Sequence, residues 1–343
     1  MISIPENTSI LISRTDSIGD VMLTIPLTTF LKKHFPKNKI IFLCSSYTAP
    51  ILQHIQTIDE IIIYNEIQNL TFNQTKNIFS HYNIHTAIIV FPTFEISKLL
   101  FKLKIPVRIA TSHRLYNWLF CNQLVSFTRK NSDLHEAQLN FKLLKPLGFT
   151  DIPSLDDLKQ MYHWKNIPPL SNHLKSLLSE KAFKIIIHPK SKGSAREWPI
   201  ENYIKLIHQL NKKDYQIIIT GTKNEEPYLK QIFYECPDVL NFVGKTSLQE
   251  LLSLINECDA LIAASTGTLH IAATLGKYAI GLFPSIRPMH AGRWAPLGNN
   301  AIVLQKPIEC NDCKKSPESC HCIQSISPEQ VRDIIHQIFN QSN

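Results

Sequence analysis

Short apolar runs of four to six residues alternate along this chain with longer stretches whose apolar positions recur at helical spacing. That alternation is the signature of parallel strands layered with helices. In the first half, the runs at Ser9–Ser13, Lys39–Cys44, Glu60–Tyr64, His85–Val90 and Val107–Ala110 predict strands. The clearest helical pattern is Val21–His34, with Leu23, Leu27, Phe30 and Leu31 on one face. A break follows, DIPSLDD and then NIPPL at 166–170, where Pro153, Pro168 and Pro169 mark a linker. The second half repeats the pattern, with strands expected at Phe183–His188, Gln216–Thr220, Val239–Phe242, Ala260–Ala264, Ala279–Phe283 and Ala301–Leu304, and helices at 200–211, 224–234, 247–256, 267–275 and 327–340. Two doubly wound α/β domains follow from this reading. One covers 1–165 and the other 166–326, and a C-terminal helix over 327–343 is expected to pack back toward the first. Ligands of such sheets bind beyond the carboxyl ends of the strands, so loops that follow strands carry the interest.

The 343-residue length agrees with two domains. No run approaches the ~20 apolar residues of a membrane span, and the N-terminus MISIPENTSI lacks the basic flank and long apolar core of a signal peptide. A cytoplasmic location is expected. The net charge of +8 favours acidic partners, namely nucleic acid, phosphorylated substrates or an anionic membrane. Cys44, Cys121, Cys236 and Cys258 sit in apolar or helical contexts and read as buried thiols.

Three loops after strands hold candidate chemistry. In STGTLHIAATLGKYAIGLF (265–283), small and hydroxyl residues lead into a helix. Its amide groups and dipole attract an anion, and Ser265, Thr266 and Thr268 add donors. His270 falls in the first turn; an ordinary Ser/Thr cap on a core helix explains the same residues equally well. In HPKSKGSAREWP (188–199), Lys190, Lys192 and Arg196 bracket Gly193 and Ser194, a composition that suits a diphosphate or a solvated basic turn. In TGTKNEE (220–226), Thr220 opens the loop and Glu225 or Glu226 can accept hydrogen bonds from ribose hydroxyls, or simply favour a helix start. The first-half turn SRTDSIGDVMLTIP (13–26) occupies the place of a phosphate loop, yet it has one glycine, Gly19, and two acids, Asp16 and Asp20.

SIGDVMLTIP, HPKSKGSAREWP and STGTLHIAATLGKYAIGLF, in this order and at these separations, resemble family 9 of the glycosyltransferases, the heptosyltransferases of lipopolysaccharide core assembly. The resemblance runs from about residue 9 to 338. It implies a GT-B fold of two Rossmann-like domains facing across a cleft, with acceptor on the first and nucleotide sugar on the second. It implies inverting transfer from ADP-heptose, with no metal or other cofactor required. Asp20 matches the family's aspartate in S-x-G-D, the proposed general base. Arg196 matches the catalytic basic residue, supported by Lys192, and the Gly267, Thr268 and Leu269 amides would hold the departing diphosphate. Glu225 falls where members contact the ribose. Asp16 matches no functional position and reads as a turn residue.

This chain departs from the family at Ser265, where many members carry an aspartate that contacts the donor sugar. Another nucleotide sugar, an epimerase of the same architecture and a non-catalytic zinc-stabilised binding protein stay open as alternatives. Toward the acceptor, 97–120 mixes Lys98, Lys102, Lys104, Arg108 and Arg114 with aromatics. That mixture suits a phosphorylated glycolipid at the inner membrane leaflet, and hence a peripheral enzyme. An ordinary helix and strand account for it equally well, and no nucleic-acid motif accompanies it. Near the C-terminus, Cys310, Cys313, Cys320 and Cys322 form C-x2-C-x6-C-x-C, which would hold a structural zinc if it binds metal at all. Oligomeric state is not legible in the sequence.

Overall fold

The computed structural model describes residues 2–129, 132–287, 289–307 and 320–342. The chain divides into two compact units, Met1–Asn166 and Ile167–Asn343. In the first, β1 (Ser9–Ser13), β2 (Lys39–Cys44), β3 (Glu60–Ile63), β4 (Ile84–Ile89), β5 (Val107–Thr111) and β6 (Gln123–Val125) form one sheet in the order β3-β2-β1-β4-β5-β6. In the second, β7 (Phe183–His188), β8 (Tyr215–Ile219), β9 (Leu240–Asn241), β10 (Ala260–Ala264), β11 (Tyr278–Phe283) and β12 (Ala301–Gln305) form a sheet in the order β12-β11-β10-β7-β8-β9. All pairings in both sheets are parallel. Each is the doubly wound order, which reverses direction between its first and fourth strands and opens a crevice there. Parallel strands covered by helices on both faces are buried throughout, so they read as continuous apolar runs. All five residues of β1 and all five of β10 are buried.

The predicted helix Val21–His34 is two helices, Ile18–Met22 and Ile25–His34. Pro26 is the cause: it has no N–H to bond the Met22 carbonyl, and its ring would collide with that carbonyl in a continuous helix. The carbonyls released at the break find side chains. The Thr24 hydroxyl donates to the Asp20 carbonyl at 2.9 Å, Tyr162 to the Met22 carbonyl at 3.1 Å, and Asn140 Nδ2 to the Leu23 carbonyl at 3.1 Å. Ordering of the turn that carries Asp20 therefore depends on residues more than a hundred positions away. β6 was not foreseen, because three residues after a polar Asn122 give no periodicity to detect.

In the second unit the helix Gly267–Thr274 lies against both β10 and β11. Close approach of backbone fixes its far side: a Cβ on Gly298 would stand 2.2 Å from the Ala273 carbonyl oxygen. The C-terminal helix Pro328–Ser342 packs on the helix Ile200–Gln209 of the same unit, sending Val331, Ile335 and Ile338 into that unit's core. Gly298→Ala is expected to destabilise the protein by about 1–3 kcal/mol, as overpacking does when a backbone atom must yield. A fall in the urea midpoint at unchanged slope would show it.

Candidate functional site

The first unit gathers charge at the carboxyl end of β1. Arg14, the residue after the strand, is only 3% exposed. Its Nε and Nη2 donate to the two Asp16 oxygens at 2.9 and 3.1 Å, and Nη2 also pairs with Asp20 Oδ1. Behind it, Nη1 lies 3.6 Å from Glu136 Oε1 and donates to Asn140 Oδ1 at 3.4 Å. Arg129 closes the arrangement, donating to Glu136 at 2.9 Å and Asn140 at 3.1 Å. Two guanidiniums thus meet three carboxylates. Burial works against the charge of Arg14, but Asp20, Asp16 and Glu136 outweigh it and raise its pKa. Asp16 is pushed up from the usual carboxylate range, chiefly by burial and further by the Asp20 charge, with Arg14 opposing.

Asp20 itself occupies the first turn of the helix Ile18–Met22, which Ser17 caps. The Ser17 hydroxyl donates to Asp20 Oδ2 at 2.5 Å. The carboxylate is gripped from two sides, yet its side chain keeps 20% of its surface open to solvent. A carboxylate so placed can accept a proton from a ligand hydroxyl without reorienting.

The second unit brings together the three loops the sequence singled out. β7 pairs with both β8 and β10, and His188 at its end stands in register with Ala263 of β10. The loops after these three strands are therefore neighbours at one edge, beside the switch point. His188 Nδ1 and Thr220 Oγ1 are 2.9 Å apart and link two of them. Burial lowers the His188 pKa to about 4, with Glu225 opposing and Lys192 adding to the fall. The ring is neutral at physiological pH, so the edge keeps its cations on Lys and Arg.

Glu197 holds the basic loop in shape. It accepts the Ser191 N–H at 2.7 Å and the Ser191 hydroxyl at 2.9 Å, and pairs with Lys190. Lys192 and Gly193 are both left-handed, at φ +51° and +78°, and Ser194 Oγ donates to the Ser191 carbonyl at 2.7 Å. Trp198, 1% exposed, anchors the loop's exit by donating to the Ile326 carbonyl at 2.8 Å. Glu225 spends Oε2 on a capping box, accepting the Thr222 N–H at 2.6 Å and its hydroxyl at 2.9 Å.

At the start of the helix Gly267–Thr274, Thr266 makes no side-chain cap; its hydroxyl lies 2.9 Å from that of Thr268. Ser265 is half-buried, and Thr266, Thr268, Leu269 and His270 are buried. The uncapped amides of an eight-residue helix, adjoining a shaped basic loop, form an edge suited to a diphosphate.

Outside these two edges, Arg108 is half-buried and donates to the Phe120 carbonyl at 2.7 Å and to the Ile105 carbonyl, a structural engagement. Lys98 and Lys102 lie on the helix Phe94–Lys102, and Arg114 precedes the helix Leu115–Phe120. Cys310 and Cys313 lie outside the described residues. Cys320 and Cys322 are buried with their sulfurs 3.4 Å apart. Among the described residues, no group of three or more His, Cys, Asp or Glu side chains is arranged to hold a metal. Sequence reasoning missed Arg14, Glu136, Arg129 and Asn140 in the first unit and His188 and Glu197 in the second. The one available signal was a charged Arg14 one residue beyond the apolar run Ile10-Leu11-Ile12.

Two doubly wound units, each with its polar groups at the carboxyl end of its sheet, are the parts of a GT-B fold. The chain belongs to glycosyltransferase family 9 (heptosyltransferase), whose model matches residues 82–324. It is 26% identical over 302 residues to lipopolysaccharide heptosyltransferase 3 of Escherichia coli K12, covering 83% of this chain and 84% of that one. Two solved structures share the fold. E. coli ADP-heptose lps heptosyltransferase II is 20% identical with a TM-score of 0.76, covering 98% of this chain and 99% of that one. E. coli heptosyltransferase WaaC with ADP is 17% identical with a TM-score of 0.71, covering 96% and 99%.

Two outcomes are expected from this geometry. Arg14→Met, which leaves Asp16, Asp20 and Glu136 facing one another, should cost about 3–5 kcal/mol of stability in chemical denaturation, as breaking a buried ion pair does. His188 has a lower pKa folded than its ordinary 6.5, so the unfolded chain binds the extra proton between pH 6.5 and about 4. Stability should therefore fall as pH drops through that window. His188→Gln should flatten this slope in thermal melts taken from pH 7.5 to 4.5.

Proposed function

We propose that the chain transfers a heptose from ADP-heptose to a lipopolysaccharide core acceptor, with inversion and without a catalytic metal. The observation that carries this reading is the Asp20 carboxylate, oriented by Arg14 and Ser17 and open to solvent at the end of β1 in a family 9 chain. Asp20 serves as general base. The acceptor hydroxyl oxygen attacks the anomeric carbon, its proton passes to Asp20, and the bond from that carbon to the ADP oxygen breaks. A sugar hydroxyl is a weak acid, so proton removal accompanies attack.

ADP leaves with growing negative charge. Arg196 and Lys192 neutralise it, and the amides of Gly267, Thr268 and Leu269 act as fixed dipoles. Thr220, Ser194, Thr266, Thr268 and His270 line the same edge, and one oxygen of Glu225 remains beyond its capping box for a ribose hydroxyl. A related solved structure carries ADP, which supports a nucleotide-sugar donor. The acceptor is a phosphorylated glycolipid, and the enzyme works peripherally at the cytoplasmic face of the inner membrane. Among the described residues no helix is long and apolar enough to cross a membrane. Ser265, at the position where many members carry aspartate, favours a second reading in which the same machinery moves another nucleotide-activated sugar.

Assaying a panel of ADP- and UDP-sugars with wild type and Asp20→Ala tests both readings. Turnover is expected with ADP-heptose, and Asp20→Ala should lower kcat about 10²–10⁴-fold, the usual contribution of a positioned base. ADP affinity should stay within about twofold, because a base acting in the transition state contributes little to nucleotide binding. Retained turnover with weakened ADP binding would overturn the base assignment, and turnover with a different sugar alone would establish the second reading.

A further inference from the structure

The helix Leu115–Phe120 is inside out. Its buried residue is Asn117, which accepts from the Ser97 hydroxyl at 2.9 Å and donates to the Thr111 carbonyl at 2.8 Å. Tyr116 donates to the Pro92 carbonyl at 2.7 Å, and Trp118 Nε1 to the Ser112 carbonyl at 2.9 Å. The helix is fastened to the unit largely through polar groups. The face it turns to solvent carries Leu115, Trp118 and Leu119, which are 87%, 63% and 72% exposed. These sit at i, i+3 and i+4, one contiguous stripe. A surface helix in a globular protein has the opposite polarity.

The neighbouring helix Phe94–Lys102 continues the surface. Phe94 and Phe101 are exposed, and each packs its ring against Phe120. Lys98 lies over the Phe94 ring at 5.3 Å. Across 94–120 there are five cations, Lys98, Lys102, Lys104, Arg108 and Arg114, and one acid, Glu95. Both helices begin beyond the carboxyl ends of their strands, β4 and β5, the end of the sheet that also bears Asp20.

We propose that this face docks on the surface of an anionic phospholipid bilayer, with Leu115, Trp118 and Leu119 entering the boundary between headgroups and acyl chains and Lys98, Lys102, Lys104 and Arg114 meeting lipid phosphates. The composition fits that occupant. Aliphatic and indole side chains ringed by Lys and Arg suit a layer that is apolar below and anionic above, whereas the core of a protein partner's interface is depleted of charge. A six-residue helix lies on a membrane and does not span it. This surface would hold a lipid-linked acceptor at the edge bearing Asp20, and to that extent it rests on the proposed function.

The test is co-sedimentation of the full chain with vesicles of phosphatidylethanolamine and phosphatidylglycerol, and with phosphatidylcholine alone. Wild type should bind the anionic vesicles, with affinity falling as salt rises, and bind phosphatidylcholine at least tenfold more weakly, since each interfacial cation contributes about fivefold. The triple variant Leu115→Ser, Trp118→Ser, Leu119→Ser removes the exposed apolar stripe together with the Trp118–Ser112 hydrogen bond, so it should keep the circular dichroism of wild type and melt a few degrees lower at most. The double variant Leu115→Ser, Leu119→Ser keeps that bond, should melt as wild type does, and should lose vesicle affinity in the same direction. The triple variant should lose at least tenfold in vesicle affinity. It should still glycosylate a delipidated, soluble acceptor fragment at the wild-type rate.

Equal vesicle binding by wild type and the triple variant would overturn the proposal. So would a wild-type dimer in sedimentation velocity that the triple variant abolishes, which would give the face to a second copy of the chain. Absence of transfer to the soluble fragment by wild type would strike the proposed function alone, leaving vesicle binding to stand or fall by itself.

Discussion

A guanidinium removed from water must find its counter-charges in the protein, and Arg14 finds three. The arrangement at the end of β1 follows from that need. Asp16 and Asp20 are drawn onto one side of the group and Glu136 onto the other, so the turn between strand and helix closes around it. Arg129 joins because Glu136 is 1% exposed and one shared guanidinium does not satisfy it. Asn140 then ties the cluster to the Leu23 carbonyl released by the helix break at Pro26. Charge, broken helix and catalytic candidate form one cooperative unit, in which weakening one contact exposes the others to an uncompensated charge.

This arrangement explains why a strand-to-helix turn at a place favoured by phosphate carries acids. Arg14 is shared among three carboxylates, so none receives its whole charge. Asp16 has its pKa raised by burial and by the Asp20 charge, with Arg14 opposing. A carboxylate held by a shared arginine on one side and a hydroxyl on the other loses orientational freedom.

The strands were legible because parallel sheets buried on both faces leave apolar runs that no surface element mimics. Eleven of the twelve lie within a few residues of their expected ends, the two-residue β9 among them, inside the expected Val239–Phe242; β6 is the exception, since three residues have no period. The single helix expected over Val21–His34 shows the converse. Periodicity reads which face is buried, and that face does continue, but it is blind to a backbone bond that Pro26 cannot make. Loops after strands were found because the motifs there combine rare conformations with charge. Their supports were not, since Glu197, Glu136 and Asn140 act through bonds to residues 6 to 126 positions away, and a sequence scan sees neighbours only.

The helix Leu115–Phe120 tests this logic from another direction. Hydrophobic burial is the cheapest way to hold a helix onto a domain, so a helix that points its apolar residues outward must be held by something else. Asn117, Tyr116 and Trp118 provide hydrogen bonds, and Arg108 adds one to the Phe120 carbonyl. Each such bond is worth only about 1 kcal/mol net, so several are needed, and several are present. With Ser97 donating to Asn117, five directed bonds also fix orientation more narrowly than an apolar contact would, because each depends on angle as well as distance. An apolar stripe held by directed bonds in an outward orientation marks a contact surface, since nothing in the unit's own core accounts for it.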